Sequence, residues 1–201
     1  CIVDVGAGGA YYLATAADTI VAHPTAITGG IGVIWNSYNL RDMMAQVNIM
    51  PQTIKAGQNI DMGSANQAIP AETKKLLQQM ADEYHQRFRA TVLASRNKID
   101  AANETNFDGR VFTATQALDR GLIDAVGYLD DALAHAGQVA GQPRAQVVMY
   151  QRASSPAFST YADKTATTPN PSLIPLRVPG LQRSQLPTFL YLWQPEPTLD
   201  R

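Results

Sequence analysis

The first 62 residues alternate short apolar runs with short helical segments, the pattern of a crossover α/β fold. Each apolar run is short enough to be a buried strand, and small residues separate one run from the next. The elements predicted in this part are a strand over residues 1–5, a glycine-rich turn over 6–10, a helix over 10–17, a strand over 19–22, a strand over 31–34, a helix from Leu40 to Gln46 and a strand over 52–55.

A long amphipathic helix is predicted next. Pro70 suits a helix start, and apolar residues then recur at helical spacing through about Ser95. We interpret this stripe as a packing face of the core or of a protomer interface rather than as a ligand site. Its members are Leu76, Leu77, Met80, Tyr84, Phe88 and Val92.

The part that follows carries clear start and stop signals. Thr113 and Gln116 have the spacing of a capping box, and Gly121 stands where the C-terminal cap of the same short helix belongs. A strand is predicted over residues 122–126 and a helix over 130–139.

Composition changes near residue 140, which divides the chain into a domain over 1–139 and an extension over 140–201. Nine of the twelve prolines lie in the extension, too many for a packed α/β layer. We expect at most an edge strand over 147–150 and then an extended arm. The apolar segment 189–193 is expected to dock on its own domain or on a neighbouring protomer, because its adjacent large side chains are costly to expose.

Charge and composition exclude several classes of function. The 201 residues are 45% hydrophobic and 16% charged, with a net charge of −1, so nothing marks a nucleic-acid-binding protein. A single cysteine excludes an intrachain disulfide, and no stretch reaches the ~20 apolar residues of a membrane span. The histidines lack the spacing of a zinc site, and we expect no cofactor.

The glycine-rich turn is the most informative segment. Glycines between a strand and a helix permit unusual backbone angles and leave the first N–H groups of the helix free to face an oxyanion or a phosphate. Such an elbow suits acyl chemistry, yet its apex carries no Ser, Cys or Thr.

Three ordered blocks of sequence resemble the signal peptide peptidase A family, serine–lysine peptidases of the ClpP/crotonase-like superfamily. They cover residues 1–139. The matching positions are Gly9, Tyr11, Tyr12, Ala17, Asp18, Ile20, Ala22, Pro24, Thr28, Gly29 and Ile31–Ile34 in the first block, Ile54–Gly57 and Asp61 in the second, and Asp108–Phe112, Ala117, Gly121–Asp124, Gly127, Tyr128, Asp131 and Ala132 in the third.

This resemblance implies a scaffold that has lost its catalytic groups. In register with the family, Gly8 replaces the serine nucleophile and Ile60 replaces the lysine base. A serine–lysine pair needs an attacking oxygen and an amine with a lowered pKa, and neither position supplies one. The backbone of Gly8, Gly9, Gly29 and Gly30 would remain as an oxyanion or peptide-binding site.

Three other side chains are candidates for the role of the absent nucleophile or base. Cys1 lies seven residues before Gly8, which is up to about 23 Å along an extended chain. The Thr28 hydroxyl is expected to bond the backbone of its turn, and Lys55 is expected to be a solvated lysine at a strand end.

Residues 108–110 form a predicted turn that positions the following helix, with an arginine able to meet a carboxylate.

The resemblance leads to a specific expectation. The fold is a ClpP/crotonase-like crossover fold of ββα units, N-terminally incomplete here, with a Pro-rich C-terminal arm. The protein would be a degenerate peptidase that binds extended or signal-peptide-like segments, or a structural subunit in a homo-oligomer or beside active paralogues. The alternatives are an active serine-type peptidase with an unrecognised nucleophile and a crotonase-type acyl-CoA enzyme. By resemblance it belongs to the cell envelope, attached to the membrane only through sequence absent from this chain.

Overall fold

Two small sheets organise residues 1–148, the part of the chain described by the computed structural model. In the first, β1 (Val5–Ala7) pairs parallel with β3 (Ile27–Gly29), and β3 pairs antiparallel with β4 (Val111–Thr113). In the second, β2 (Val21–Ala22) pairs parallel with β5 (Ala125–Val126). The chain therefore has a mixed α/β structure. The apolar segment 189–193 and most of the predicted arm lie outside the described residues.

Five helices connect and cover the strands in the described part of the chain. The capping box of Thr113 and Gln116 is present, and Gly121 follows its helix with a φ of 73°, so both signals are confirmed. The long helix after Pro70 is confirmed as well. The helices are α1 (Gly9–Ala14), α2 (Arg41–Gln46), α3 (Ala71–Ser95), α4 (Ala114–Asp119) and α5 (Leu129–Val139), with a 3₁₀ turn at Glu104–Asn106.

The core lies where α1, α3 and α4 meet the sheets. Tyr11 and Phe88 are fully buried in it, and Tyr12 packs edge-on against Phe88. The apolar stripe of α3 is only partly internal, because Leu76, Met80 and Tyr84 each remain more than a third exposed. Its buried members are Leu77, Phe88 and Val92.

A largely buried polar network joins the end of α3 to the segments that lead into β2 and β5. The Arg96 guanidinium forms a 2.6 Å ion pair with Asp124 and donates to the carbonyl of Ala17 at 2.9 Å. The same Asp124 oxygen accepts the backbone N–H of Ile20 at 2.8 Å. The Tyr11 hydroxyl donates to the carbonyl of Leu122 at 2.7 Å, and burial raises its pKa well above the ordinary value. These bonds fix the segment between α1 and β2 against the start of β5.

Several predicted elements differ from the structure in position or extent. The strand expected over residues 1–5 occurs as an isolated bridge at Ile2 and as β1 at Val5–Ala7, and the strand expected over 19–22 is limited to Val21–Ala22. The strand expected over 31–34 lies earlier, at Ile27–Gly29, because Gly29 and Gly30 both adopt positive φ and turn the chain out of the sheet. The strand expected over 122–126 is limited to its last two residues, and residues 52–55 form no strand. The first helix ends at Ala14 rather than at residue 17.

Candidate functional site

The elbow between β1 and α1 has the geometry expected from its glycines. Gly8 is the N-cap of α1 and holds φ 59° and ψ −121°, a conformation that side-chain-bearing residues rarely adopt. Its N–H donates to the carbonyl of Gly29 at 2.9 Å, and its carbonyl accepts the N–H of Tyr12 at 2.9 Å. The apex is therefore buried and held on both sides, and it presents no side chain.

The four backbone positions proposed for oxyanion binding divide into two kinds. The N–H groups of Gly8 and Gly30 are already used, since Gly30 donates to the carbonyl of Arg110 at 2.9 Å. Gly9 begins α1, so its N–H has no acceptor within the helix and faces the N-terminal end. Gly29 contacts the elbow through its carbonyl oxygen, which accepts the N–H of Gly8. The N–H groups that the elbow can offer to an anion are therefore those of the first residues of α1, beginning with Gly9.

The turn at residues 108–110 supports this glycine region. Arg110 donates to Asp108 through Nε at 2.9 Å, an ion pair that lowers the pKa of the Asp108 carboxyl. The Arg110 carbonyl holds Gly30, and a Cβ added to Gly32 would lie 3.1 Å from the Cα of Gly109. The expectation of an arginine–carboxylate contact is confirmed, and its effect here is to position the backbone beside the elbow.

The two alternative nucleophiles lie in unfavourable surroundings. The hydroxyl of Thr28 is fully buried and donates to the carbonyl of Gly6 at 2.8 Å, the backbone bond expected for it. Cys1 is exposed, and Ile2 after it bridges to Ala22 in the second sheet, whereas Gly8 bonds to the first. The strand of Thr28 runs beside the elbow, but its hydroxyl is bonded to the backbone, and Cys1 is not brought to the apex by its own segment.

The segment around Ile60, the position expected to replace the family's lysine base, is exposed. Ile60 lies in turns between α2 and α3, and 74% of its surface is accessible. Lys55, expected to be solvated at a strand end, instead lies in a loop and forms an ion pair with both oxygens of Asp61 at 2.8 Å. Gln67 donates to the same carboxylate at 2.9 Å, and these bonds hold the pKa of Asp61 below its usual range.

A cleft of about 330 Å³ lies beside this segment, between the turns and the start of α3. It falls within the ~300–1,000 Å³ typical of ligand sites. Its lining is mostly polar and includes Lys55, Asp61, Ser64, Gln67, Ala68 and Thr73.

In the described part of the chain, no cluster of three or more His, Cys, Asp and Glu side chains could hold a metal ion. None of the described helices is long and apolar enough to cross a bilayer.

Two structural contacts at the site carry no clear sequence signal. Arg96 and Asp124 are 28 residues apart, and nothing in their local patterns marks them as partners. The bond between Lys55 and Asp61 is also unmarked, although both residues belong to the recognised second block. Only the complete fold brings such residues together.

A comparison with known protein families identifies the family of this chain. The model of peptidase family S49 matches residues 1–142. The chain belongs to peptidase family S49. The resemblance found in the three sequence blocks is thereby confirmed.

Individual relatives agree with this assignment. A Synechocystis sp. protein named as a candidate protease, slr0021, is 35% identical over 69% of this chain and 50% of its own length. The chloroplastic serine protease SPPA of Arabidopsis thaliana is 35% identical over 78% of this chain and 23% of its own length. A candidate signal peptide peptidase SppA of Enterococcus faecium is 32% identical over 65% of this chain and 38% of its own length. The chain thus spans half or less of the length of these relatives.

Proposed function

We propose that this S49 family member is catalytically degenerate and acts as a peptide-binding or structural subunit, either in a homo-oligomer or beside active paralogues. The observation that carries the proposal is Gly8 at the apex of the elbow. The turn that would display a nucleophile is present, with its strained angles and both of its hydrogen bonds. Its apex residue is a glycine, whose side chain is only a hydrogen atom.

The base segment supports the same proposal. A lysine acts as a base at neutral pH only when burial or a neighbouring cation lowers its pKa. The position equivalent to the base carries Ile60, and the nearby Lys55 is held in an ion pair with the Asp61 carboxylate at 2.8 Å. Because both members of the dyad are missing, copies of this chain cannot complete each other across an interface.

Peptide binding is supported by what remains. The free N–H groups at the start of α1 suit a carbonyl or carboxylate oxygen, and the polar cleft beside Ile60 offers side chains for an extended chain. A crotonase-type acyl-CoA enzyme is the less supported alternative, since family S49 covers residues 1–142. Attachment to the cell envelope through sequence absent from this chain belongs to the same proposal.

Two measurements on the full chain test this function. A serine-directed covalent probe and a set of fluorogenic peptides are expected to show neither labelling nor turnover. Fluorescence anisotropy of a labelled extended peptide is expected to rise when the protein binds it and to fall when unlabelled extended peptide is added. Ala68→Trp is expected to weaken this binding, because the larger side chain fills the cleft. Ala16→Trp, another exposed alanine outside the cleft, is the matched control. Covalent labelling together with turnover would contradict degeneracy, and Thr28→Val and Cys1→Ala would then locate the nucleophile.

A further inference from the structure

The described chain exposes a dense group of large apolar side chains between residues 43 and 60. Six of them show half or more of their surface, and we call this group the apolar surface 43–60. Its members are Met43, Val47, Ile49, Met50, Ile54 and Ile60. Single exposed apolar residues are ordinary, but six of them within one short stretch of sequence make this stretch a candidate interaction surface.

Part of this surface has the sequence of a strand without the pairing of one. Residues 52–55 include two β-branched side chains, those of Thr53 and Ile54, yet no ladder partner is found for them among residues 1–148. Ile54, in the middle of the segment, is fully exposed. This segment belongs to neither sheet, so an added strand would form a new two-stranded pair with it, stabilised mainly by contacts between apolar side chains.

We propose that residues Phe189–Trp193 of the same chain occupy the apolar surface 43–60. These five residues are all large and apolar, and prolines at 187 and 195 bracket them. They suit an added strand, because aromatic and β-prone residues favour pleated pairing. Their rings also suit Met43 and Met50, since thioethers contact aromatic rings favourably and adapt to irregular surfaces.

Charge on the two segments is compatible with docking. Lys55 is the only charged residue between positions 43 and 60, and it is neutralised by Asp61. No charged residue lies between positions 184 and 195. The extension over 140–201 has six basic and three acidic residues, whereas residues 1–139 have ten and fourteen. Docking therefore buries no unpaired charge and brings together parts of opposite net charge.

Chain length permits the contact within one molecule. The 40 residues from 149 to 188 can span up to about 130 Å when extended. A domain of this size is only about 40 Å across, as its expected radius of gyration is about 15 Å. A tethered segment acts at an effective concentration in the millimolar range, so its own domain outcompetes a second copy in dilute solution. The inference does not require that the protein binds or cleaves peptides, but a docked segment would lie beside the polar cleft, which Lys55 also lines.

Tryptophan fluorescence provides the test, because the chain has only two tryptophans. In the full-length Trp35→Phe variant, Trp193 is the remaining fluorophore. Its emission is expected to be blue-shifted and shielded from acrylamide, with the same values across a wide range of protein concentration. Adding Ile54→Lys is expected to shift the emission to the red and expose the ring. Adding Leu13→Lys, which alters an equally large exposed residue outside the surface, is expected to change neither value.

A second measurement avoids the Trp35 substitution. Hydrogen exchange on the wild-type chain is expected to show protection at 189–193 and at 52–55, and Tyr191→Ser with Trp193→Ser is expected to remove both. Phe158→Ser, in the same extension, is the control and should remove neither. A solvent-exposed Trp193 overturns the proposal. Protection that survives Ile54→Lys assigns the segment to another surface, and protection that appears only with dimer formation assigns it to a second copy, so either result also overturns it.

Discussion

The backbone N–H of Gly8 donates to the carbonyl oxygen of Gly29 at 2.9 Å, which ties the apex of the elbow to the end of β3. Gly30, the next residue, is tied in turn to the carbonyl of Arg110. The conformation of Gly8 is therefore held by a bond to β3, whose end is itself bonded to the residue before β4. This geometry is the one that would display a side chain at the apex, where the chain has a glycine.

Gly8→Ser is expected to lower the free energy of unfolding by about 1–3 kcal/mol, because a side-chain-bearing residue would have to hold a φ of 59°. Urea unfolding measures the loss. Ala10→Ser, at an exposed position two residues along, should change stability by no more than about 0.5 kcal/mol. Equal effects at both positions would show that the elbow relaxes and stores no strain. Hydrolysis by the Gly8→Ser protein should stay at background, since it has no base.

Tyr11→Phe is expected to cost about 1–3 kcal/mol, because the buried carbonyl of Leu122 loses its donor. The cost should depend on pH. Burial raises the folded-state pKa of Tyr11, so its contribution is complete below about pH 10, the ordinary tyrosine value, and is lost as the pH rises towards the folded-state pKa. Unfolding measurements from neutral to alkaline pH should show the two proteins converging above pH ~10. A constant difference would contradict this role.

Asp124→Asn is expected to destabilise the fold by about 2–4 kcal/mol. It leaves the guanidinium of Arg96, whose side chain is only 5% exposed, without its counter-charge, although partial exposure of Asp124 moderates the effect. Glu104→Gln, in the exposed pair with Arg89, is the matched control and should have little effect. The double variant Arg96→Met/Asp124→Leu should recover part of the loss in urea unfolding. The single variants Arg96→Met and Asp124→Leu are measured as well. If the double variant loses as much free energy of unfolding as these two lose together, direct coupling between Arg96 and Asp124 is contradicted.

Local signals in the sequence were sufficient for the helices and for the elbow. The capping box at Thr113 and Gln116 and the long apolar period after Pro70 each depend on residues a few positions apart, and both are confirmed. The elbow followed from glycines at a strand–helix junction, and Gly8 is the N-cap as expected.

Strand limits and the surroundings of the candidate base could not be predicted in the same way. The end of β3 depends on a bond from Gly30 to Arg110, which is 80 residues away in sequence. The segment 52–55 has strand-like residues, but a strand also requires a partner, and sequence pattern does not supply one. The pairing of Lys55 with Asp61 similarly depends on how the turns between them close.

The double variant Gly8→Ser/Ile60→Lys is expected to remain at background hydrolysis at neutral pH, although it restores both types of group. Position 60 is 74% exposed, so the introduced lysine keeps a pKa near ~10.4 and is protonated at pH 7. Any activity should therefore rise about tenfold per pH unit as the amine loses its proton. Peptide hydrolysis measured from pH 7 to about 9.5, below the range in which Tyr11 affects stability, checks this dependence. Gly8→Ser/Ile60→Met, which has a side chain of similar length and no charge, controls for the new serine. Rapid hydrolysis at pH 7 that the methionine control lacks would show that the chain still buries and aims a lysine there, and the loss of function would then lie in two side chains and not in the scaffold.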